Sequence, residues 1–420
     1  VVLKSSRSVA LELHTLCRNP ISEENSSKDF FMQRFVAALA AFLLTTAMTP
    51  VVLADETSDA IELLRGVQPG STDSAAARGA VQQLTKRGPQ ALMPLLQGFR
   101  NATPLAGNWL RNAFEQLVEA EIKAGHKLPQ QELEEFVRDQ EQSPLARRLV
   151  YETLKRTDPG IEDRLIPGML LDASPEFRRD AVARLITEAA GLSDAVKATP
   201  LYRKAISGAV HEDQVKTIAE ALRKNSETID VQKHFGFLTE WSIVGPFDNK
   251  DEKGFAVAYG PELEVATAKT PDLQAEYDGQ SGKVRWQPIA TTDDYGMIDI
   301  AKQIENYKGS LMYAATTWTS DKEQQVEIRL GTPNSWKLWV NGELVFEREE
   351  YHRSCKLDQY RVPVTLKSGP NQLMFKVCQN EMTQDWAQRY QFQIRICDST
   401  GSAILPANRT ARHATNSGVQ

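Results

Sequence analysis

Residues 336–346 read Trp-Lys-Leu-Trp-Val-Asn-Gly-Glu-Leu-Val-Phe, and residues 366–377 read Leu-Lys-Ser-Gly-Pro-Asn-Gln-Leu-Met-Phe-Lys-Val. An Asn-Gly pair between two apolar-rich runs predicts a β-hairpin, because a two-residue type I′ turn requires positive φ at both central positions. Here those positions are Asn341 and Gly342. Across a tight turn at that point Trp339 is expected opposite Leu344, Lys337 opposite Phe346 and Leu338 opposite Val345. Both faces then carry apolar bulk. One belongs in a core, and the other must be covered by a loop or by helices, or offered to a ligand.

Outward from the hairpin, strand-like runs are legible at residues 238–244, 284–288, 310–318, 325–330, 336–340, 343–346, 360–366, 372–378 and 390–397. Gly245-Pro246 is expected to end the first of them. In the last, Tyr390, Phe392, Ile394 and Ile396 share one face, while Gln391, Gln393, Arg395 and Cys397 share the other. Eight or nine short strands predict an antiparallel β-sandwich or jelly roll over residues 237–400. A domain of about 170 residues buries about 70% of its unfolded surface, enough for its own core.

Between residues 58 and 225 the period becomes helical, and one phrase recurs: Arg78-Gly-Ala-Val-Gln-Gln-Leu84, Arg111-Asn-Ala-Phe-Glu-Gln-Leu117, Arg179-Asp-Ala-Val-Ala-Arg-Leu185, with a looser copy from Arg148 to Leu154. In chain order the copies start 33, 37 and 31 residues apart. That is the period of stacked helical hairpins. Ala in the third position lets a paired helix approach, and the bulky residue and Leu project onto the same face. Ser143-Pro144 and Ser174-Pro175 precede two copies as an expected cap and first turn. An irregular helical bundle is the alternative. The pairs Arg147-Arg148 and Arg178-Arg179 suggest a basic ridge, or charges spent within the repeat.

The 420 residues exceed one ordinary core, at about 150 residues per domain. With Lys+Arg 49 against Asp+Glu 55 the net charge is −6, mixed along the chain, so the basic stripe that nucleic acid requires is missing. Met32-Gln-Arg, an apolar run over residues 35–47, and Val52-Leu-Ala54 before Asp55 read as a signal peptide over residues 32–54, cleaved between Ala54 and Asp55. The run is shorter than the ~20 residues that span a bilayer, so no integral membrane segment is expected after cleavage. An uncleaved anchor or buried helix is the alternative. Translation is expected to start at Met32, which leaves residues 1–31, with Cys17, as an untranslated or disordered extension. Export to the periplasm or cell exterior follows, with a helical domain over residues 55–230 and a disordered tail over residues 401–420. Peptides from residues 1–31 in the exported protein would contradict this start.

An oxidising compartment leaves Cys355, Cys378 and Cys397, an odd number. A hairpin between residues 372–378 and 390–397 would put Cys378 opposite about Tyr390, too far from Cys397 for the ~7 Å limit on Cα separation. Cys355 is then the expected partner of Cys378 or Cys397.

The strand ending at Gly331, the Trp339-Val-Asn-Gly342 turn and Leu366-Lys-Ser-Gly-Pro-Asn-Gln-Leu373 resemble galactose-binding-like jelly rolls, among them the sugar-binding domains that accompany secreted bacterial glycosidases. Trp241-Ser-Ile-Val-Gly-Pro-Phe-Asp-Asn249 is similar to the start of related domains in secreted bacterial proteins. The helical half resembles HEAT-type repeats, which implies a protein-docking scaffold. The resemblance covers residues 57–225 and 237–400, and its motifs specify hairpins and packing, not a ligand.

Sugar modules stack aromatic faces on sugar rings, so the six tryptophans between residues 237 and 400 are candidates. Trp336 and Trp386 lie in or beside expected turns and, with Tyr351, Arg353 and Asp358 from the long connection after the hairpin, form the expected ligand set. If every tryptophan were buried, stacking on sugar would be excluded. Asp248-Asn-Lys-Asp-Glu252 has calcium-type ligands, but the spacing departs from an EF-hand and Lys250 and Lys253 oppose a cation. No metal or cofactor is expected. Carboxylates such as Glu349-Glu350 and Asp293-Asp294 are not placed at a glycosidase separation, and no nucleophile-elbow, P-loop, zinc-protease or dinucleotide motif occurs. The reading is a non-catalytic binding or scaffold protein. Its alternatives are a purely structural or protein-docking envelope scaffold and an accessory part of a secreted glycoside hydrolase.

Overall fold

The recurring arginine phrase falls on helices in all four copies. The computed structural model describes residues 51–70 and 74–407, in two compact units divided between Leu128 and Pro129. The first holds α1 (Val51–Arg65), α2 (Ser74–Arg87), α3 (Leu92–Gln97) and α4 (Pro104–Lys123). Its core is made by the phrase: Ala80, Val81 and Leu84 of α2 and Ala113, Phe114 and Leu117 of α4 are buried. The expected extension, the start at Met32 and the apolar run over residues 35–47 lie outside the described residues. The expected cleavage pair Ala54-Asp55 falls within α1.

The second unit opens with seven helices: α5 (Gln130–Arg138), α6 (Pro144–Thr157), α7 (Ile161–Leu165), α8 (Pro175–Ala190), α9 (Ala195–Gly208), α10 (Glu212–Lys224) and α11 (Val231–Phe235). Val150, Tyr151 and Leu154 of α6 and Ala181 and Val182 of α8 are buried at the phrase positions, so the packing logic extends across the copies. Ser143 and Ser174 do stand at N-caps with Pro next, yet neither side chain bonds the helix. Ser174 instead donates its backbone N–H to Asp172 Oδ1 at 2.8 Å.

The paired arginines are not a free ridge. Arg147 is fully buried, donating Nη1 and Nη2 to the two oxygens of Asp172 at 2.8 and 2.6 Å and Nε to Val137 O at 2.8 Å. Arg148 reaches Asp180 at 2.5 Å, and Arg179 reaches both oxygens of Asp213. Each of these last two ties one copy of the phrase to the next hairpin, through carboxylates 32 and 34 residues on.

Twelve antiparallel strands follow: β1 (Glu240–Asp248), β2 (Glu276–Gly279), β3 (Gly282–Arg285), β4 (Gln287–Ala290), β5 (Ile298–Asp299), β6 (Ser310–Ser320), β7 (Gln324–Gly331), β8 (Ser335–Val340), β9 (Glu343–Arg348), β10 (Tyr360–Leu366), β11 (Gly369–Gln379) and β12 (Gln391–Cys397). A six-stranded sheet has the order β4-β1-β6-β11-β8-β9, a four-stranded sheet β10-β7-β12-β5, and β2-β3 form a ribbon. One apolar cluster draws Trp318, Trp336 and Phe375 from the first sheet and Ile328, Phe392 and Ile394 from the second. Tyr390 and Ile396 join it, as the alternation of the last strand predicts.

Four expectations are corrected here. Gly245-Pro246 does not end β1; a register shift between Val244 and Phe247 absorbs the proline, which has no N–H to donate, and the strand continues to Asp248. The Asn-Gly turn pairs Trp339 with Leu344 as expected, but a bulge follows, so Leu338 faces Phe346 and Lys337 faces Glu347. Strands β11 and β12 form no hairpin, because they belong to different sheets. Residues 401–407, expected in a loose tail, are bonded in place: Ile404 N–H donates to Ile396 O and Ala407 N–H to Thr319 O, at 3.1 and 3.0 Å.

The outer face of the six-stranded sheet is covered by an excursion that sequence reading missed. It comprises a 3₁₀ turn (Lys250–Phe255), α12 (Gly260–Ala268) and the β2-β3 ribbon. Phe255, Val265 and Tyr277 bury Val244, Tyr313, Trp339 and Met374. The buried Lys376 ammonium fastens it, donating to Phe255 O, Val257 O and Glu262 Oε2 at 2.9, 2.7 and 3.1 Å. A last short helix, α13 (Ile300–Gln303), follows β5.

Candidate functional site

At one end of the sheets three loops converge on an exposed indole. Trp386 lies in the 3₁₀ turn Asp385–Ala387 and is 61% exposed, whereas Trp241, Trp318, Trp336 and Trp339 are buried. Trp286 is half-buried, its Nε1–H directed to Tyr277 OH at 3.3 Å. The test set by the sequence therefore has an answer: one tryptophan of the six is displayed.

The backbone under that indole is held from within. Gln379 Nε2 and Lys308 Nζ both donate to Ala387 O, at 3.1 and 3.0 Å. Beside it, the His352 ring meets the indole edge to face, with centroids 4.9 Å apart and planes at 88°. His352 Nε2 is 2.8 Å from Asn380 Oδ1, and Asn380 Nδ2 donates to Glu252 Oε1 at 2.9 Å. Asp251 N–H donates to Glu381 Oε1 at 2.5 Å. Asp251, Glu252 and His352 all hold positive φ, of 56°, 62° and 57°. Such conformations cost about 1–3 kcal/mol each for non-glycine residues, and they persist where surrounding contacts determine them. Here the Asn380 and Glu381 bonds supply those contacts.

Tyr351 supports the cluster from beneath. Its OH accepts from Asn249 Nδ2 at 3.1 Å, and Asn249, fully buried, also donates to Gln379 O at 3.1 Å. Burial pushes the Tyr351 phenol well above its ordinary range, so it stays neutral. Arg353, with a side chain 61% exposed, pairs with Glu350 at 3.3 Å. The expected set thus comes together in part: Trp386, Tyr351 and Arg353 belong to or flank this loop end.

Two expected members do not. Trp336 lies within β8, not at a turn, and is fully buried against Phe346, Tyr360 and Phe375 with ring centroids 5.5, 5.1 and 5.8 Å away. Asp358 sits between two arginines of the four-stranded sheet, accepting from Arg395 Nε and Nη2 at 2.6 Å each and from Arg329 Nη1 at 2.8 Å. Burial works to raise its carboxyl, but the Arg395 and Arg329 guanidiniums outweigh it and hold the group below the usual carboxylate range. Three of its four lone-pair directions are spent on structure.

The expected disulfide is absent, since Cys355, Cys378 and Cys397 are free thiols. Cys378 projects with Met374 from the outer face of the six-stranded sheet. Cys397 alternates with Ile396 and so leaves the shared core on the opposite side. Both sheets stand between them. Burial pushes the Cys378 thiol up to about 12 and those of Cys355 and Cys397 up to about 11, which keeps all three protonated and unreactive.

Asn380 and Glu381 organise the loop end with Asn249 and were not singled out from sequence, whereas Asn249 was weighed only as part of a calcium-type loop. Asn380 acts on residues 28 and 128 positions away, so only the folded chain reveals it. Among the described residues no group of three or more His, Cys, Asp or Glu stands together as a metal set. What the loop end offers is an apolar ring face with an imidazole against it.

No family model and no curated protein matches the chain. Among solved structures it is similar to a β-glucosidase from Kluyveromyces marxianus in complex with glucose, at 9% identity and a TM-score of 0.21, over 27% of this chain and 14% of that one. The selenomethionine-labelled form of that β-glucosidase gives 11% and 0.23, over 41% and 18%. A GH31 α-xylosidase from Xanthomonas citri gives 11% and 0.19, over 37% and 17%. The chain spans less than a fifth of the length of each of these proteins.

Proposed function

We propose that this chain is an exported, non-catalytic carbohydrate-binding protein. In this reading a sugar ring stacks on Trp386 at the loop end of a galactose-binding-like β-sandwich, and HEAT-like repeats dock a protein partner. The observation that carries it is the 61% exposure of an indole whose backbone is tethered from beneath and whose neighbour His352 is fixed by Asn380. A side chain of that size in water is unfavourable unless something covers it, and a pre-set aromatic platform needs no reordering when a ligand arrives. His352 supplies a polar group beside the ring for a sugar hydroxyl.

The site is read as binding and not hydrolysis because the loop end presents an aromatic face, and its carboxylates Glu252, Glu381 and Glu350 are engaged by Asn380, Asp251 N–H and Arg353. Screening the purified protein on a glycan array, with Trp386→Ala alongside, tests the proposal. Binding by the wild type of at least one glycan that the variant binds markedly more weakly is expected. A wild type that binds no glycan, or that releases a cleaved sugar, overturns it.

A further inference from the structure

Residues on the outer face of the six-stranded sheet stand in rows across the strands. Val244, Tyr313, Lys376 and Lys337 form one row by register. It is roofed by the excursion: Lys376 bonds Phe255 O, and Lys337 Nζ lies 4.5 Å over the Phe255 ring. The next row is Pro288, Ser242, Ala315 and Met374. Under its β4-β1-β6 side the roof stops, and a groove of about 580 Å³ opens.

The floor is sunk because Ser242 and Ala315 are small where their neighbours Met374 and Trp339 are large and covered. One wall is Pro271 and Leu273 from the chain after α12, with Leu273 44% exposed. Gln372 Nε2 donates to Thr317 Oγ1 at 2.7 Å, which leaves the Gln372 side-chain oxygen and the Thr317 hydroxyl proton for other partners in the groove. Glu240 is the one ionisable side chain that lines the groove. No aromatic face is displayed, since Trp241 is 4% exposed.

Aliphatic walls over a floor of hydroxyl, amide and carboxylate acceptors suit a ligand with C–H faces and many O–H or N–H donors. A carboxylate with no cation among its lining neighbours repels anions, most strongly where the walls exclude water. We infer that this groove is a second carbohydrate subsite, separate from Trp386, that takes neutral or amino-bearing oligosaccharides and rejects uronates. It rests on the reading of the protein as a glycan binder, but on none of the residues at the loop end.

Calorimetric titration of the full chain with a neutral gluco-oligosaccharide, a chitosan oligosaccharide and an oligogalacturonate tests it, in the wild type, Trp386→Ala, Thr317→Arg and Glu240→Gln. Thr317→Arg fills the groove from an exposed position, and an unchanged Tm confirms that it folds. The inference expects Trp386→Ala to retain one site per chain for the neutral or amino sugar, with the uronate at least tenfold weaker. Adding Thr317→Arg removes that site, and Glu240→Gln narrows the discrimination. Loss of all binding in Trp386→Ala with Thr317→Arg silent overturns the groove and leaves the platform standing. The reverse result keeps the groove and removes the platform. Binding of neither the neutral nor the amino sugar by the wild type overturns both, and a preference for the uronate overturns the assigned ligand class.

Discussion

Asp358 shows how much a single side chain can conceal. Its place in a long polar connection suggested a ligand contact, yet it neutralises Arg395 and Arg329 in the interior. Removing one partner of a buried pair strands the others, at a cost of about 3–5 kcal/mol. Asp358→Asn should therefore lower the unfolding free energy by about that much in denaturant titration without altering glycan binding. The carboxyl is held below its ordinary 3.8, so the unfolded chain takes up its proton first on acidification. Its stabilisation is complete above about pH 4 and is lost as pH falls through the folded value, a limb that Asp358→Asn should erase from a Tm–pH curve. His234 acts at milder pH. Burial, with Arg395 and Arg178 nearby, lowers its pKa below 6.5 against the raising effect of its bond to Ala209 O. The unfolded state again binds the proton more readily, so stability declines as pH drops below about 6.5. A Tm series from pH 7.5 to 5.5 should show that slope, and His234→Gln should flatten it.

At the scale of elements, the Asn-Gly turn is also a packing contact. Gly342 has a φ of 82°, and a Cβ there would run into Lys269, with Lys269 Cα at 2.9 Å and Val265 O at 3.0 Å. Gly342→Ala combines a disfavoured backbone with a clash against α12, so it should cost more than about 1 kcal/mol in denaturant unfolding. The turn, the strand faces and the helical phrase were legible because each repeats a local period that burial then enforces: Ile394 and Ile396 inward, Ala113 and Phe114 onto the helix core. The excursion over residues 250–285 was not. Helix α12 buries only Pro261 and Val265 of its nine residues, too few to mark a helical face. The bulge after Leu344 was equally silent, since either register leaves an apolar residue opposite Leu338. Of the site, Trp386 and Tyr351 were found by residue type. Asn380 was not, and Asn249 was read only as a possible cation ligand, because a buried amide is identified by what it bonds.

For the molecule as a whole, the change from helix to strand near residue 237 is not where the contacts thin. Helices α5–α11 and both sheets belong to one unit that begins at Pro129. Arg395 Nη1 donates to Phe235 O at 3.2 Å, Arg178 Nη1 donates to Thr400 Oγ1 and Ser402 Oγ at 2.8 and 2.7 Å, and Phe237 shares a core with α8–α11. A fragment of residues 129–407 should unfold in one cooperative transition. One of residues 237–407, which strands the Arg395 and Phe237 partners, should be markedly less stable or insoluble, as calorimetry and light scattering would show. Helices α5–α11 and the sheets in one unit are what the proposed glycan-binding scaffold requires to hold Trp386 in place. That platform is the central claim, and Trp386 is its natural reporter as the exposed indole of the sheet region. Fluorescence titration with the best array glycan should blue-shift and saturate the wild-type emission, and calorimetric titration should give an affinity reduced at least tenfold in Trp386→Ala at unchanged Tm. Equal affinity in the two proteins would contradict the account.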